Sequence, residues 1–211
     1  MLTTLDEDLL MAASAELAGL DPALAASLTR SGPPPLWARD RSFGTLVHLV
    51  LEQQVSLASA QAAFDRLTAT LDGNVAPERL LALGDEQMLA IGFSRQKRDY
   101  ARGVAAAMLD GFDLDGLATL PDDEVRARLT SLRGIGRWTA DVYLIMSLRR
   151  PDVWPHGDLT LARSAMVVLG LPERPTYEAL GARAERWRPW RAVAARILWH
   201  DFLLVRGLPV D

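Results

Sequence analysis

Apolar residues recur at helical spacing along most of the chain, and no segment shows a sustained alternation of apolar and polar residues. In one stripe, Phe43, Leu46, Val47, Val50 and Leu51 fall on a single helical face. The pattern predicts an all-α protein. Besides the helix that carries this stripe, the predicted helices span 6–17, 22–29, 57–71, 77–83, 85–90, 94–110, 122–131, 139–148, 159–169, 176–186 and 189–205.

The most informative segment reads LRGIGRWTAD and occupies 132–141, between two predicted helices. Its two glycines flank one aliphatic residue, which predicts a hairpin at 132–137 whose bare backbone N–H groups hold a phosphate. The positive end of the following helix acts on the same anion. A packed corner between two core helices has the same glycine spacing, so the motif alone leaves both interpretations open. The predicted phosphate-binding residues are Gly134, Ile135, Gly136, Arg137 and Thr139.

The distribution of charge favours a polyanionic partner, although the formal net charge is −4. Residues 126–206 contain 14 arginines against 7 acidic residues, whereas the remainder contains 9 basic and 20 acidic residues. The basic part carries the hairpin, as expected for a nucleic-acid-binding surface. Solvated arginine-rich helix faces are the alternative interpretation.

Composition excludes several classes of protein. With 211 residues, 49% of them hydrophobic, the chain can form one domain or two small lobes. No apolar run is long enough to span a membrane, and the acidic N-terminus does not resemble a secretory signal, so we expect a cytoplasmic protein. The absence of cysteine excludes a cysteine-ligated iron–sulfur cluster, and three scattered histidines argue against a zinc site.

Further motifs accompany the hairpin in a fixed order. Asp158 follows Gly136 by 22 residues, LEQQVS occupies 51–56, and IGFSRQK occupies 91–97. Near the C-terminus, WRPWR precedes ILW. In this combination, residues 40–205 resemble the helix-hairpin-helix (HhH-GPD) DNA glycosylase superfamily, and within it the proteins of the 3-methyladenine DNA glycosylase II type.

The resemblance implies two helical lobes, a helix-hairpin-helix motif, and an interlobe cleft that holds a flipped base. Residues 1–40 with 145–211 would form one lobe, and 41–144 the other lobe with the hairpin 132–137. Because only 40 residues precede the shared region, we expect no N-terminal β domain.

Asp158 lies where the family keeps its catalytic aspartate. A carboxylate there would stabilise the positive charge that develops on the sugar as the base leaves, and it could orient or deprotonate the attacking water. Asp158 also suits the N-cap of the predicted helix 159–169, and the two roles are compatible.

An alkylated purine is cationic, and the electron-rich faces of aromatic rings bind cations. The resemblance indicates Trp138 and Trp199 as residues of the base pocket, with Tyr143, Trp154 and Trp190 as further candidates. Packing in the core is the alternative role for each of them, and the two remaining tryptophans are assigned to packing.

Bifunctional relatives keep a Schiff-base lysine at the hairpin position that is Trp138 here. The only lysine of the chain, Lys97, lies in a different segment. We therefore predict excision by water without AP lyase activity. Gln53 and Gln54 form the loop where the family inserts its DNA wedge. Gln54 aligns with the wedge residue itself, and an amide can fill the gap left by the base. A polar turn between helices is the alternative for this pair.

These observations predict a monofunctional DNA glycosylase that excises alkylated purines such as 3-methyladenine in base excision repair. The alternatives are a non-catalytic helix-hairpin-helix protein that binds damaged DNA, and an adaptor domain without DNA affinity. The expected partner is double-stranded DNA containing alkylated bases. We expect a monomer, associated with the nucleoid, with no iron–sulfur cluster or zinc. The one ion that the resemblance implies is Na⁺ or K⁺ at the hairpin carbonyls.

Overall fold

The computed structural model describes residues 2–208, and it confirms the all-α prediction. These residues form twelve α-helices and two short 3₁₀ turns, without a β-strand. The turns span Gly116–Thr119 and Glu185–Trp187. No helix in this part of the chain has the length and hydrophobicity needed to cross a membrane. The helices α1 to α12 span Glu7–Leu20, Pro22–Ser31, Phe43–Glu52, Leu57–Thr70, Pro77–Leu81, Asp85–Ile91, Arg95–Leu109, Asp122–Ser131, Arg137–Met146, Leu159–Val168, Tyr177–Ala184 and Arg191–Val205.

Side-chain caps set the starts of several helices. The hydroxyl oxygen of Ser56 accepts a hydrogen bond from the Ser59 backbone N–H at 3.2 Å, as the sequence predicted for α4. Helix α9 begins at Arg137, two residues before its predicted start. The chain therefore enters helical geometry directly after Gly136, and the hairpin residues lie against the first turn of α9.

Contacts within the chain divide it into two compact units. One consists of Met1–Ala38 with Leu144–Asp211, and the other is Arg39–Tyr143. The sequence analysis placed these divisions after residues 40 and 144.

In the first unit, α2 and α10 pack against α12, which is buried along much of its length. The guanidinium of Arg196 lies in this core and is fully buried. It donates to the backbone oxygens of Leu36, Ile145 and Ala192 at 3.0, 2.7 and 3.3 Å. Burial lowers the pKa of Arg196 to about 10. The carbonyl groups solvate this charge and connect α12 to two other segments of the unit.

In the second unit, α3 packs against α4 and α7. The apolar stripe of α3 forms the centre of this unit, and Leu46, Val47 and Val50 are fully buried. The segment after α3 and the hairpin between α8 and α9 both belong to this unit, which carries most of the residues singled out from the sequence.

Candidate functional site

The hairpin joins α8 to α9 in a tight turn. The backbone N–H of Ile135 donates to the Leu132 carbonyl at 3.0 Å, and Gly134 adopts a left-handed φ of +92°. Ile135 is almost fully buried. The apolar residue between the two glycines therefore anchors the turn, while the glycines shape it.

The two glycines are required for different reasons. A Cβ on Gly134 would lie 2.1 Å from the Tyr100 ring, so the turn fits only without a side chain. A Cβ on Gly136 would have no other atom within 4 Å. Gly134 is needed for packing against α7, whereas Gly136 leaves an open face beside the start of α9.

The first turn of α9 supplies N–H groups next to that open face. The Ala140 N–H donates to the Gly136 carbonyl at 3.0 Å and makes the first intrahelical bond. The N–H groups at the start of a helix precede the first intrahelical bond, and that of Arg137, an exposed residue, lies next to Gly136. Together with the positive end of the helix dipole, this arrangement is suited to binding an anion.

Gln53 contacts the hairpin directly. Its side-chain amide donates to the Gly134 carbonyl at 2.9 Å and to the Thr139 hydroxyl at 3.2 Å. Gln53 was predicted as part of the DNA wedge, and Thr139 was predicted to bind phosphate. The structure gives both side chains a bracing role that the sequence analysis did not identify. Thr139 is 2% exposed, so its hydroxyl braces the hairpin and is not open to an anion.

Gln54 lies at the tip of the loop after α3. Its side chain is exposed, and its backbone adopts a φ of +58°, which is strained for a residue with a side chain. Val55 and Leu57, which follow it, are 47% and 58% exposed. This loop presents an amide and two apolar side chains to solvent, which suits insertion into a base stack.

Lys97 holds the helix before this loop. Its Nζ donates to the Leu51 carbonyl in the last turn of α3 at 2.6 Å, where a cation also interacts favourably with the helix dipole. Burial lowers the pKa of Lys97. The only lysine of the chain is therefore engaged in positioning α3.

Asp158 lies at the N-cap of α10 in the first unit. The preceding Gly157 has a φ of +82°, and the turn it forms leads into α10. Asp158 is 8% exposed, and its Oδ1 accepts a hydrogen bond from the Leu161 N–H at 2.8 Å. The predicted capping role is thus present. The cap holds the carboxylate in a fixed orientation, as a catalytic carboxylate requires.

Three aromatic candidates lie in the same unit as Asp158. The half-buried ring of Trp154 packs against Trp187, with centroids 5.6 Å apart. Trp190 Nε1 donates to Glu16 on α1 at 2.6 Å. Trp199 is 8% exposed on α12. Trp154 and Trp190 are thus held by contacts within their own unit.

The other two aromatic candidates lie on α9. Trp138 is half-buried in its first turn. Tyr143 is fully buried, and no residue among 2–208 forms a hydrogen bond with its hydroxyl. Burial raises the pKa of Tyr143, so the phenol stays protonated at neutral pH.

The hairpin carbonyls were the predicted site for Na⁺ or K⁺. The carbonyls of Leu132, Gly134 and Gly136 already accept hydrogen bonds from Ile135, Gln53 and Ala140. Each oxygen has a second lone pair, so a cation could bind only by sharing these acceptors. The cation stays a prediction.

Comparison with known proteins places the chain in a family. Residues 47–189 match the family described as HhH-GPD superfamily base excision DNA repair protein. The chain is 34% identical over 158 residues to DNA-3-methyladenine glycosylase 1 of Schizosaccharomyces pombe, covering 73% of this chain and 69% of that protein.

Two solved structures have a similar fold. The 3-methyladenine DNA glycosylase of Schizosaccharomyces pombe in complex with abasic DNA has a TM-score of 0.81 at 31% identity, covering 89% of this chain and 94% of that one. A DNA-3-methyladenine glycosidase from Bacillus halodurans has a TM-score of 0.76 at 28% identity, covering 99% and 95%. The chain belongs to the HhH-GPD superfamily of base excision DNA repair proteins.

Proposed function

We propose that this protein is a monofunctional DNA glycosylase that removes alkylated purines, such as 3-methyladenine, from duplex DNA and leaves an abasic site. Asp158 carries the proposal, because it is a fixed and nearly buried carboxylate in a member of a base excision repair family. The similarity to two DNA-3-methyladenine glycosylases supports the substrate class.

Asp158 would act on the sugar of the damaged nucleotide. As the bond between C1′ and the purine nitrogen breaks, its electron pair leaves with the base, and positive charge develops on the sugar. A nearby carboxylate stabilises that charge, an interaction of about 4 kcal/mol at a separation of 4 Å and an effective dielectric constant of 20. Water then bonds to C1′ and loses a proton, which the Asp158 carboxylate accepts as the general base.

Alkylation of a purine ring nitrogen makes the base cationic and therefore a good leaving group. Selectivity then depends mainly on binding the cation. Among the aromatic candidates, the half-buried ones are Trp138, Trp154 and Trp190. An aromatic face attracts a cation more strongly than a neutral base, which favours alkylated over normal purines.

The position of the only lysine supports hydrolysis by water. Schiff-base chemistry needs a lysine that can attack C1′, and the Lys97 amine donates to the Leu51 carbonyl instead. Incubation with damaged DNA and borohydride, followed by denaturing electrophoresis, should give no covalent adduct. A trapped adduct that disappears in Lys97→Arg would contradict the monofunctional assignment.

The substrate class can be tested with duplex oligonucleotides that each carry one lesion. The panel contains 3-methyladenine, 7-methylguanine, ethenoadenine, hypoxanthine and undamaged purines. Base release should occur for the alkylated purines, and strand breaks should appear only after alkali treatment. Asp158→Asn should bind the same duplexes without releasing bases. A wild-type protein that binds damaged DNA but releases no base would instead support the non-catalytic alternative.

Duplex DNA would be held through the hairpin amides, while the exposed loop at Gln54 fills the space of the extruded base. We also propose that the protein acts as a monomer. Sedimentation of the protein with and without a duplex carrying one lesion should show one protein per duplex.

A further inference from the structure

A groove beside the helix-hairpin-helix motif takes little part in the function proposed above. It is an open groove in the second unit, formed by α8 and the first residue of α9. Its lining residues are Asp123, Arg126, Ala127, Thr130 and Arg137. Of these, only Arg137 belongs to the predicted phosphate-binding set.

A buried carboxylate holds the two arginines of this groove. Asp141, on α9, has no exposed surface. Its Oδ1 accepts from Arg126 Nε at 2.7 Å, and its Oδ2 lies 3.8 Å from Arg137 Nε. Because one carboxylate faces the Nε atoms of both side chains, the two guanidinium groups are kept near each other at the edge of the hairpin.

One of the ion pairs in the groove has an exposed partner. Besides Asp141, Arg126 pairs through NH1 with Asp123. The Asp123 side chain is 98% exposed, whereas that of Arg126 is 20% exposed. An ion pair with a partner so exposed to water is weak, and a phosphate that accepts charge-assisted hydrogen bonds from arginine can replace it.

We propose that this groove is a second DNA phosphate subsite, which rests on the proposed function. Arg126 and Arg137 bind one backbone phosphate, distinct from the phosphate at the hairpin amides. Asp123 pairs with Arg126 in the free protein, and the phosphate replaces Asp123 when DNA binds. Asp141 is the positioning residue that keeps both arginines in place.

The test compares two neighbouring ion pairs of α8. Arg126→Gln and Asp123→Asn change the groove pair. Arg128→Gln and Glu124→Gln are the matched controls, because this pair lies on the same helix at 3.3 Å and neither residue lines the groove. Binding to a duplex with a stable abasic-site analogue is measured by fluorescence anisotropy across a series of KCl concentrations.

Arg126→Gln should lower the slope of log K against log[KCl] by about 1, as expected for one lost phosphate contact. Asp123→Asn should strengthen binding by about two- to fivefold, because it removes an exposed ion pair of about that strength that competes with the phosphate for Arg126. The control variants should change the slope by clearly less, and Glu124→Gln should strengthen binding less than Asp123→Asn.

Equal effects of groove and control variants would overturn the proposal. If Arg126→Gln fails to fold because Asp141 loses its partner, the comparison of Asp123→Asn with Glu124→Gln decides alone. Failure of the proposed function has a separate signature: the wild-type protein would release no alkylated purine, while the difference between groove and control variants persists. A wild-type protein without DNA affinity would overturn both.

Discussion

The hairpin and the turn at Asp158 are held by contacts that differ in their separation along the sequence. The hairpin is braced by side chains that are distant in sequence, Gln53 at the end of α3 and Tyr100 on α7. Asp158 is fixed by the helix it begins, through a bond to Leu161 three residues away. The proposed DNA-binding element thus depends on long-range packing within its unit, whereas one contact that orients the proposed catalytic carboxylate lies within its own helix turn.

The largest expected effect follows from replacing Asp158 by Asn. Asparagine caps a helix about as well as aspartate, so the turn should persist while the negative charge is lost. Base release from a 3-methyladenine duplex should fall by about three orders of magnitude, comparable to the loss of one strong transition-state contact. Single-turnover release assays measure this effect, and the melting temperature should stay close to that of the wild type.

Asp158→Ala provides the contrast, because it removes both the charge and the cap. It should lose activity to the same extent and also lower the free energy of unfolding by about 1 kcal/mol. Residual excision by Asp158→Asn close to the wild-type rate would leave Asp158 with capping as its only function.

The second prediction addresses the hairpin through its two glycines. Gly134→Ala places a methyl group 2.1 Å from the Tyr100 ring at a left-handed φ, and it should destabilise the protein by about 3 kcal/mol or more. Gly136→Ala meets no other atom and should leave stability nearly unchanged. Its methyl group lies on the face proposed for the phosphate, so it should weaken duplex binding. Urea unfolding and anisotropy separate the two effects.

If Gly136→Ala bound duplex DNA as well as the wild type, the phosphate would have to lie elsewhere on the hairpin. If Gly134→Ala were as stable as the wild type, the packing of the turn on Tyr100 would not be needed to hold it.

The same contrast explains what the sequence could predict. The caps at Ser56 and Asp158 depend on residues three positions apart, and both were predicted correctly. The Gln53 side chain and the Gly134 backbone carbonyl meet across 81 residues, and no periodicity or local motif encodes that pairing. Asp141 was passed over for a related reason: it was treated as the end of a glycine motif, although its burial with Arg126 depends on how α8 packs against α9.

The third prediction separates the two neighbouring glutamines. Gln53→Ala leaves the Gly134 carbonyl and the Thr139 hydroxyl without the amide donor, and it should cost about 1–2 kcal/mol of stability. Gln54→Gly should keep or raise the melting temperature, because glycine adopts the φ of +58° without strain. It should nevertheless slow base release from duplex DNA, since the wedge is lost.

A single-stranded substrate sharpens this comparison. Base release by Gln54→Gly from single-stranded DNA should approach that of the wild type, because no partner base is left behind. Equal slowing on both substrates would show that Gln54 acts on something other than the gap in the duplex.

The smallest expected effect concerns the helix before the wedge loop and its pH dependence. His48 stacks on Phe64 with centroids 4.4 Å apart, and burial lowers the pKa of His48 below its ordinary value of 6.5, although Glu52 lies 3.6 Å away. As the pH falls below about 7, the unfolded chain takes up a proton that the folded protein binds only at lower pH. Stability should therefore decrease from pH 7 towards pH 5.

Part of that decrease should disappear in His48→Phe, which keeps the stacking and removes the titrating group. The wild type and His48→Phe should differ by less than about 1 kcal/mol in how much unfolding free energy they lose between pH 7 and pH 5. A shift of one pKa is enough to cause a change of this size. The pKa of His200 is also lowered by burial, so a residual slope should persist in this variant and decrease further when His200→Gln is added. Urea unfolding at pH 5, 6 and 7 measures the series. If the slope of unfolding free energy against pH were unchanged in both variants, neither imidazole would be held neutral by the fold.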